Sequence, residues 1–247
     1  MEIVFLGTNG WYDTDTGNTI CILIKTKKFY IILDAGNGIH KTDNYCRIKK
    51  PAYLFLSHFH LDHIIGLHTL NKIRCFKTLH IFGPSGSKKI LGKIIDSPFT
   101  MPLPHLPYPV EIHELPREQK VLPFPVDARP LLHSSLTLGF RIEIDGRVIS
   151  YCPDTGYCEN AVLLSKNADL LIAECAYKSG QKSHKWPHLN PETAARIAKE
   201  AKANRLALVH FDAYLYKTFK DRKIAEKKAQ IICKTTYAAM DCMQVHV

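Results

Sequence analysis

The chain has 247 residues, 46% hydrophobic and 23% charged, a balance that excludes collagen-like, low-complexity and wholly disordered chains. No apolar run approaches the roughly 18 residues that a membrane-spanning helix needs, and Met1-Glu2 leads into a strand-like stretch without a signal peptide's basic start, so a cytoplasmic location is expected. Thirty-three Lys and Arg against 23 Asp and Glu leave a net charge of +10, which favours polyanionic partners such as RNA, DNA or phosphorylated metabolites over neutral ones.

In chain order, residues 3–6 predict a first strand closing in the turn Gly7-Thr8-Asn9-Gly10, and the runs 19–25 and 29–33 predict a hairpin that ends at Asp34-Ala35-Gly36. The short apolar run 53–56 reads as a buried strand, and 64–73 as a helix. Further strands are expected at 80–82, 110–115 and 126–132, with a helix around 88–95. Five prolines stiffen 97–109 into an extended loop, for which crossing the surface is the simpler reading and roofing a site the alternative. The runs 138–144 and 147–152 flank Asp145-Gly146, a strong hairpin signal. Buried strands at 170–173 and 205–209 bracket a helix with Asn190 as N-cap, Pro191 in its first turn, and Ala194, Ala195, Ile197, Ala198 and Ala201 as its apolar face. The alternation of strand and helix, with no linker or repeat, indicates one α/β domain.

The late basic stretch Lys217, Lys220, Arg222, Lys223, Lys227 and Lys228, interleaved with Tyr214, Tyr216 and Phe219, reads as the solvated face of a helix whose buried side is Ile224, Ala225, Ile231 and Ile232; nucleic-acid binding is the rival reading. Eight cysteines without a C-x-x-C pair are expected to be free, mostly buried thiols.

The chemistry concentrates at His58-Phe59-His60-Leu61-Asp62-His63, directly after a predicted strand. Imidazole and carboxylate suit zinc, manganese or iron, and a strand end fixes ligand geometry while leaving coordination positions open. Four such groups within six residues do not readily close around one ion, so two metals completed from elsewhere are expected. His133, Asp154 and His210, polar residues at the exits of apolar runs, are the candidates to complete them.

This H-x-H-x-D-H pattern, followed by a strand-end His, an Asp in Pro153-Asp154-Thr155 and a late Val209-His210-Phe211, resembles the metallo-β-lactamase superfamily across nearly the whole chain. The resemblance implies an αββα sandwich, two mixed sheets flanked by helices. It implies that His58, His60 and His133 hold one metal, that Asp62, His63 and His210 hold the other, and that Asp154 bridges them. Asp34 then supports the site from behind. Within the superfamily, Thr137-Leu138-Gly139-Phe140-Arg141, Ala173-Glu174-Cys175 and Pro187-His188-Leu189-Asn190 resemble the ribonuclease Z group of phosphodiesterases. In that group a His and a Glu at these positions relay a proton to the leaving oxygen, which maps onto His188 and Glu174, with His184 a weaker competitor.

Two features depart from the group. The interval between His133 and Asp154 is filled by one hairpin, with no room for the arm that grips tRNA, and Ala173 stands where the group has a His. The short interval also resembles a bacterial cyclic phosphate phosphodiesterase, but that enzyme's Cys-rich structural zinc site has no counterpart. The reading that follows is a phosphodiesterase with two divalent cations, zinc first, in which Asp62 and Asp154 orient the attacking water and His188, steadied by Glu174, protonates the leaving group. Its substrate would be RNA or a cyclic nucleotide, with no membrane partner and homodimerisation left open. The alternatives are a thioesterase or lactonase of the glyoxalase II type, a tRNA 3′-processing endoribonuclease, and a nucleic-acid-binding protein with a degenerate site.

Overall fold

A computed structural model describes residues 1–247. A seven-stranded sheet runs in the order Gln244–His246, Glu2–Gly7, Cys21–Lys25, Tyr30–Leu33, Lys50–Phe55, Phe76–Gly83, Val110–Glu114. A six-stranded sheet faces it in the order Thr236–Ala238, Leu206–Val209, Leu170–Glu174, Arg147–Cys152, Leu138–Ile144, Val126–Pro130. Both mix parallel and antiparallel pairs.

The layering follows from strands that are apolar on both faces. Successive side chains point to opposite sides, so Ile3, Phe5, Ile22, Ile24, Ile31 and Leu33 enter the core between the sheets, with Phe140, Ile149 and Tyr151 opposite. Their neighbours Val4, Leu6, Leu23, Tyr30 and Ile32 face outward under Leu67, Leu70 and Leu91. On the far side, Leu171, Ala173, Leu206 and Leu208 meet Ala194, Ala195, Ile197 and Ala198 of the helix Pro191–Glu200. The result is helices, sheet, sheet, helices: the expected αββα sandwich. That helix carries its expected N-cap, since Asn190 Oδ1 accepts from the Thr193 backbone N–H at 2.9 Å. All eight cysteines are free, and no helix is long and apolar enough to cross a membrane.

Three expectations need correction. The helix read over 64–73 is a short α-helical turn, Leu61–Ile64, followed by a 3₁₀ segment, Ile65–Lys72. Tertiary backbone bonds capture the groups an α-helix would use: Ala35 N–H donates to His63 O and Gly66 N–H donates to Ala35 O, both at 2.8 Å. Gly66 permits that approach, because a Cβ there would lie 2.2 Å from Gly36 O. The strand read over 126–132 stops at Pro130, so His133 stands in the loop beyond it.

The late helix, Phe219–Gln230, buries Arg222, Ala225, Glu226 and Ala229, whereas Ile224 and Ile231 are exposed. Arg222 donates to Thr8 Oγ1 at 2.7 Å, to Thr16 Oγ1 at 3.2 Å and to Asn9 Oδ1, and its guanidinium lies 4.7 Å from the centre of the Phe211 ring. Thr8 Oγ1 in turn donates to Asp241 Oδ1 at 2.7 Å. Periodicity misassigns this face because hydrogen bonds, which it cannot see, outweigh the desolvation of one guanidinium. The proline-rich 97–109 segment crosses the surface, anchored where Tyr108 OH donates to Leu70 O at 2.6 Å.

Arg222→Ala strands the polar groups of Thr8, Asn9 and Thr16 in a buried site and should lower the unfolding free energy by about 3 kcal/mol. Urea unfolding followed by circular dichroism measures it, and a loss under about 1 kcal/mol would show that these bonds do not hold the N-terminal loop.

Candidate metal centre

Both sheets end at one edge. Tyr30–Leu33 and Lys50–Phe55 are parallel neighbours, as are Arg147–Cys152, Leu170–Glu174 and Leu206–Val209, so each set of strands delivers its C-terminal residues together. Asp34, the 58–63 segment, Asp154, Glu174 and His210 all emerge there. Asp34 and His210 have positive φ, 54° and 53°, a left-handed conformation that non-glycine residues adopt at some cost.

The seven side chains singled out from the sequence converge. His58, His60, His133 and Asp154 form one group and Asp62, His63 and His210 another, with donor atoms in each within 4.8 Å of one another. Asp154 serves both groups. Its Oδ1 lies 3.1 Å from His63 Nε2 and 3.1 Å from His210 Nε2, and its Oδ2 lies 3.9 Å from His58 Nε2 and 3.7 Å from His133 Nε2. His63 Nε2 and His210 Nε2 are themselves 3.1 Å apart, and His210 Nε2 is 3.1 Å from Asp62 Oδ2.

Buried His58 Nε2 and Asp154 Oδ1 have no hydrogen-bond partner. A bare buried imidazole nitrogen and a bare carboxylate oxygen within one cluster of donors are what a divalent cation satisfies, and the group fits such a site.

The surrounding residues set the tautomers. Asp34 Oδ2 accepts from His63 Nδ1 at 2.8 Å, from Ser57 Oγ at 2.8 Å and from Tyr151 OH at 2.6 Å, while Asp34 Oδ1 accepts from the Ser57 backbone at 2.7 Å. With its Nδ1 proton committed to Asp34, His63 has its Nε2 turned toward Asp154. Ser57 Oγ, 2.9 Å from His58 Nδ1, does the same for His58.

Burial and the nearby His63 ring push His58 down to about 2, and burial lowers His60 and His133, so these imidazoles are neutral, as ligands must be. In the other group burial is outweighed: Asp154 and Asp34 raise His63, Asp154 and Asp62 raise His210, and His210 and His63 hold Asp154 well below the carboxylate range.

His188 and Glu174 also meet. His188 Nδ1 donates to Glu174 Oε1 at 2.7 Å, and backbone N–H groups of Thr155 and Ala176 fix the carboxylate at 2.6 and 3.1 Å. Burial alone would lower His188, but the Glu174 carboxylate outweighs it and raises the ring to about 9. His184 is exposed.

A cavity of about 310 Å³ opens over the centre, lined by His60, Asp62, Asp154, His188 and His210 together with Trp11, Leu61 and Trp186. Sequence reasoning missed the last three because no local pattern ties Trp11 or Trp186 to the motif. It also missed Ser57 and Tyr151, which reach Asp34 only through the fold. Gly10 was read only as part of a turn, yet a Cβ there would lie 2.5 Å from His210 Cε1, so the missing side chain makes room for the ring.

A family model described as the beta-lactamase superfamily domain matches residues 30–211. Ribonuclease Z from Pyrococcus abyssi is 27% identical over 90% of this chain and 90% of its own, and ribonuclease Z from Bacillus velezensis is 25% identical over 100% and 99%. Among solved structures, the metallo-beta-lactamase fold protein YhfI from Bacillus subtilis superposes with a TM-score of 0.80 at 23% identity, over 99% of this chain and 98% of that one. Human tRNase Z, short form, superposes with a TM-score of 0.77 at 23% identity, over 100% and 99%. These two likenesses establish the fold. With the family model spanning most of its length over this cluster of imidazoles and carboxylates, the chain belongs to the beta-lactamase superfamily and is a metal-dependent hydrolase of the ribonuclease Z type.

Proposed function

We propose that the protein is a binuclear phosphodiesterase acting on nucleotide phosphodiesters, in RNA or cyclic form, with two divalent cations, zinc foremost and manganese or iron as alternatives. His58, His60 and His133 would hold one cation and Asp62, His63 and His210 the other, with Asp154 shared. Cations bound there supply Lewis-acid charge for phosphate oxygens and acidify water toward neutral pH. Asp62 and Asp154, held ionised, accept hydrogen bonds from the attacking water and orient it. His188 gives its Nε2 proton to the departing oxygen while Glu174, on Nδ1, stabilises the charged ring and fixes its direction.

The Glu174–His188 pair beside Asp154 carries this reading. An alkoxide leaving group needs a proton, whereas the thiolate released from a thioester does not, so the pair favours a phosphodiester over a glyoxalase II-type substrate. The +10 charge points the same way.

Two observations favour short RNA ends or cyclic nucleotides over folded precursor tRNA. The interval from His133 to Asp154 is occupied by the hairpin Leu138–Ile144 and Arg147–Cys152. The alignment with the Bacillus velezensis enzyme also runs to 311 positions against 247 residues here, so that relative carries segments this chain lacks.

Metal-replete protein should hydrolyse bis-p-nitrophenyl phosphate and leave a thioester largely untouched; the reverse preference would reject the phosphodiesterase reading. Elemental analysis should find two divalent ions per chain, and fewer than one in Asp154→Asn. Gly10→Ala, which drives a Cβ into the His210 ring, should lower metal content while circular dichroism stays native. His188→Ala should lose roughly 10²-fold or more in kcat on a dinucleotide, whose alkoxide needs a proton, and far less on a p-nitrophenyl ester, whose phenolate does not. Equal losses on both esters would remove His188 from the role of proton donor.

A further inference from the structure

We propose that Trp11 and Trp186 form an aromatic platform that binds a nucleobase beside the scissile phosphate. The proposal rests on the phosphodiesterase reading and names a subsite of the same cavity.

These are the only two tryptophans in the chain, and the fold brings them together at the mouth of the cavity. Their rings stack, with centroids 6.2 Å apart and planes within 20°. Trp186 also lies nearly parallel to His60, at 6.1 Å and 7°, so the indoles adjoin a candidate ligand. Trp11 is 55% exposed and Trp186 39%, and Leu61, 72% exposed, lines the same cavity. Single apolar residues in water need no explanation, but an apolar cluster over a polar centre marks a binding surface.

The backbone supports the placement. Trp11 has φ 71°, in a region where a bulky residue is strained. Its N–H donates to Asp62 Oδ2 at 2.8 Å, so the bond that presents the indole also steadies a candidate ligand. The Trp186 backbone is held at both ends: its O accepts from Tyr177 OH at 2.5 Å and its N–H donates to Ser183 Oγ at 3.2 Å.

The ligand that uses an indole face and also carries a phosphate to the centre is a nucleotide. Stacking accepts any base, because every base has a π-face. A cationic ligand, the other partner of an aromatic face, is disfavoured by the net charge of +10.

Since both tryptophans lie in the proposed subsite, intrinsic fluorescence reports its occupancy without turnover. Metal-replete protein titrated with adenosine monophosphate should show quenching and about tenfold tighter binding than with ribose 5-phosphate. Trp11→Ala should erase that advantage by weakening adenosine monophosphate about tenfold more than ribose 5-phosphate, and Trp11→Phe should keep most of it. Equal affinity for the two ligands, or equal weakening of both in Trp11→Ala, would overturn the platform. Hydrolysis of bis-p-nitrophenyl phosphate by the wild type separates the two ideas. If it persists without a preference for the base, only the platform fails; if it is absent, the phosphodiesterase reading itself is lost.

Discussion

Asp154 is the residue on which the site turns. Its carboxylate is buried at the seam of the two sheets, with one oxygen facing His63 and His210 and the other facing His58 and His133. A carboxylate taken out of water costs several kcal/mol unless positive charge compensates it. The fold meets that demand by collecting imidazoles from three segments around it, with His63 and His210 raised by its charge. The segments that build the centre therefore also tie the sheets to one another, so that the metal site and the sandwich seam are one structure.

Support for the centre lies in places that make no contact with a ligand. Asp34, directly after a strand of one sheet, gathers His63, Ser57 and Tyr151, the last from a strand of the other sheet, and so sets imidazole tautomers from behind. Gly10 leaves room for the His210 ring, and Gly66 lets the 3₁₀ segment press on the backbone at Gly36. Trp11, Asp34 and His210 share left-handed backbone conformations that the surrounding hydrogen bonds hold in place. Strain, tight packing and buried polar groups thus coincide at one edge of the molecule, as in a site organised before substrate arrives.

Much of the fold was legible because its signals are local. Runs such as Ile-Val-Phe-Leu at 3–6 are apolar on both faces, which marks strands buried between two layers, and Asp145-Gly146 specifies a hairpin. Misreadings arose where a tertiary bond beat a local preference. The α-helical pattern after His63 yields to backbone bonds with Ala35, and the apolar face drawn on the last helix yields to Arg222, whose partners lie at the opposite end of the chain. The edge strands Thr236–Ala238 and Gln244–His246 escaped notice because three residues carry too little periodicity to read.

The amino-acid order by itself determined the donor inventory: which imidazoles and carboxylates exist, and that each follows an apolar run. Ligand chemistry is a property of residue type, and strand ends are visible as hydrophobic boundaries. Only the tertiary structure decided how closely the donors approach one another and that two tryptophans from distant segments stack over the opening. Those are distances between residues far apart in sequence, set by sheet register and packing, and no local pattern encodes them.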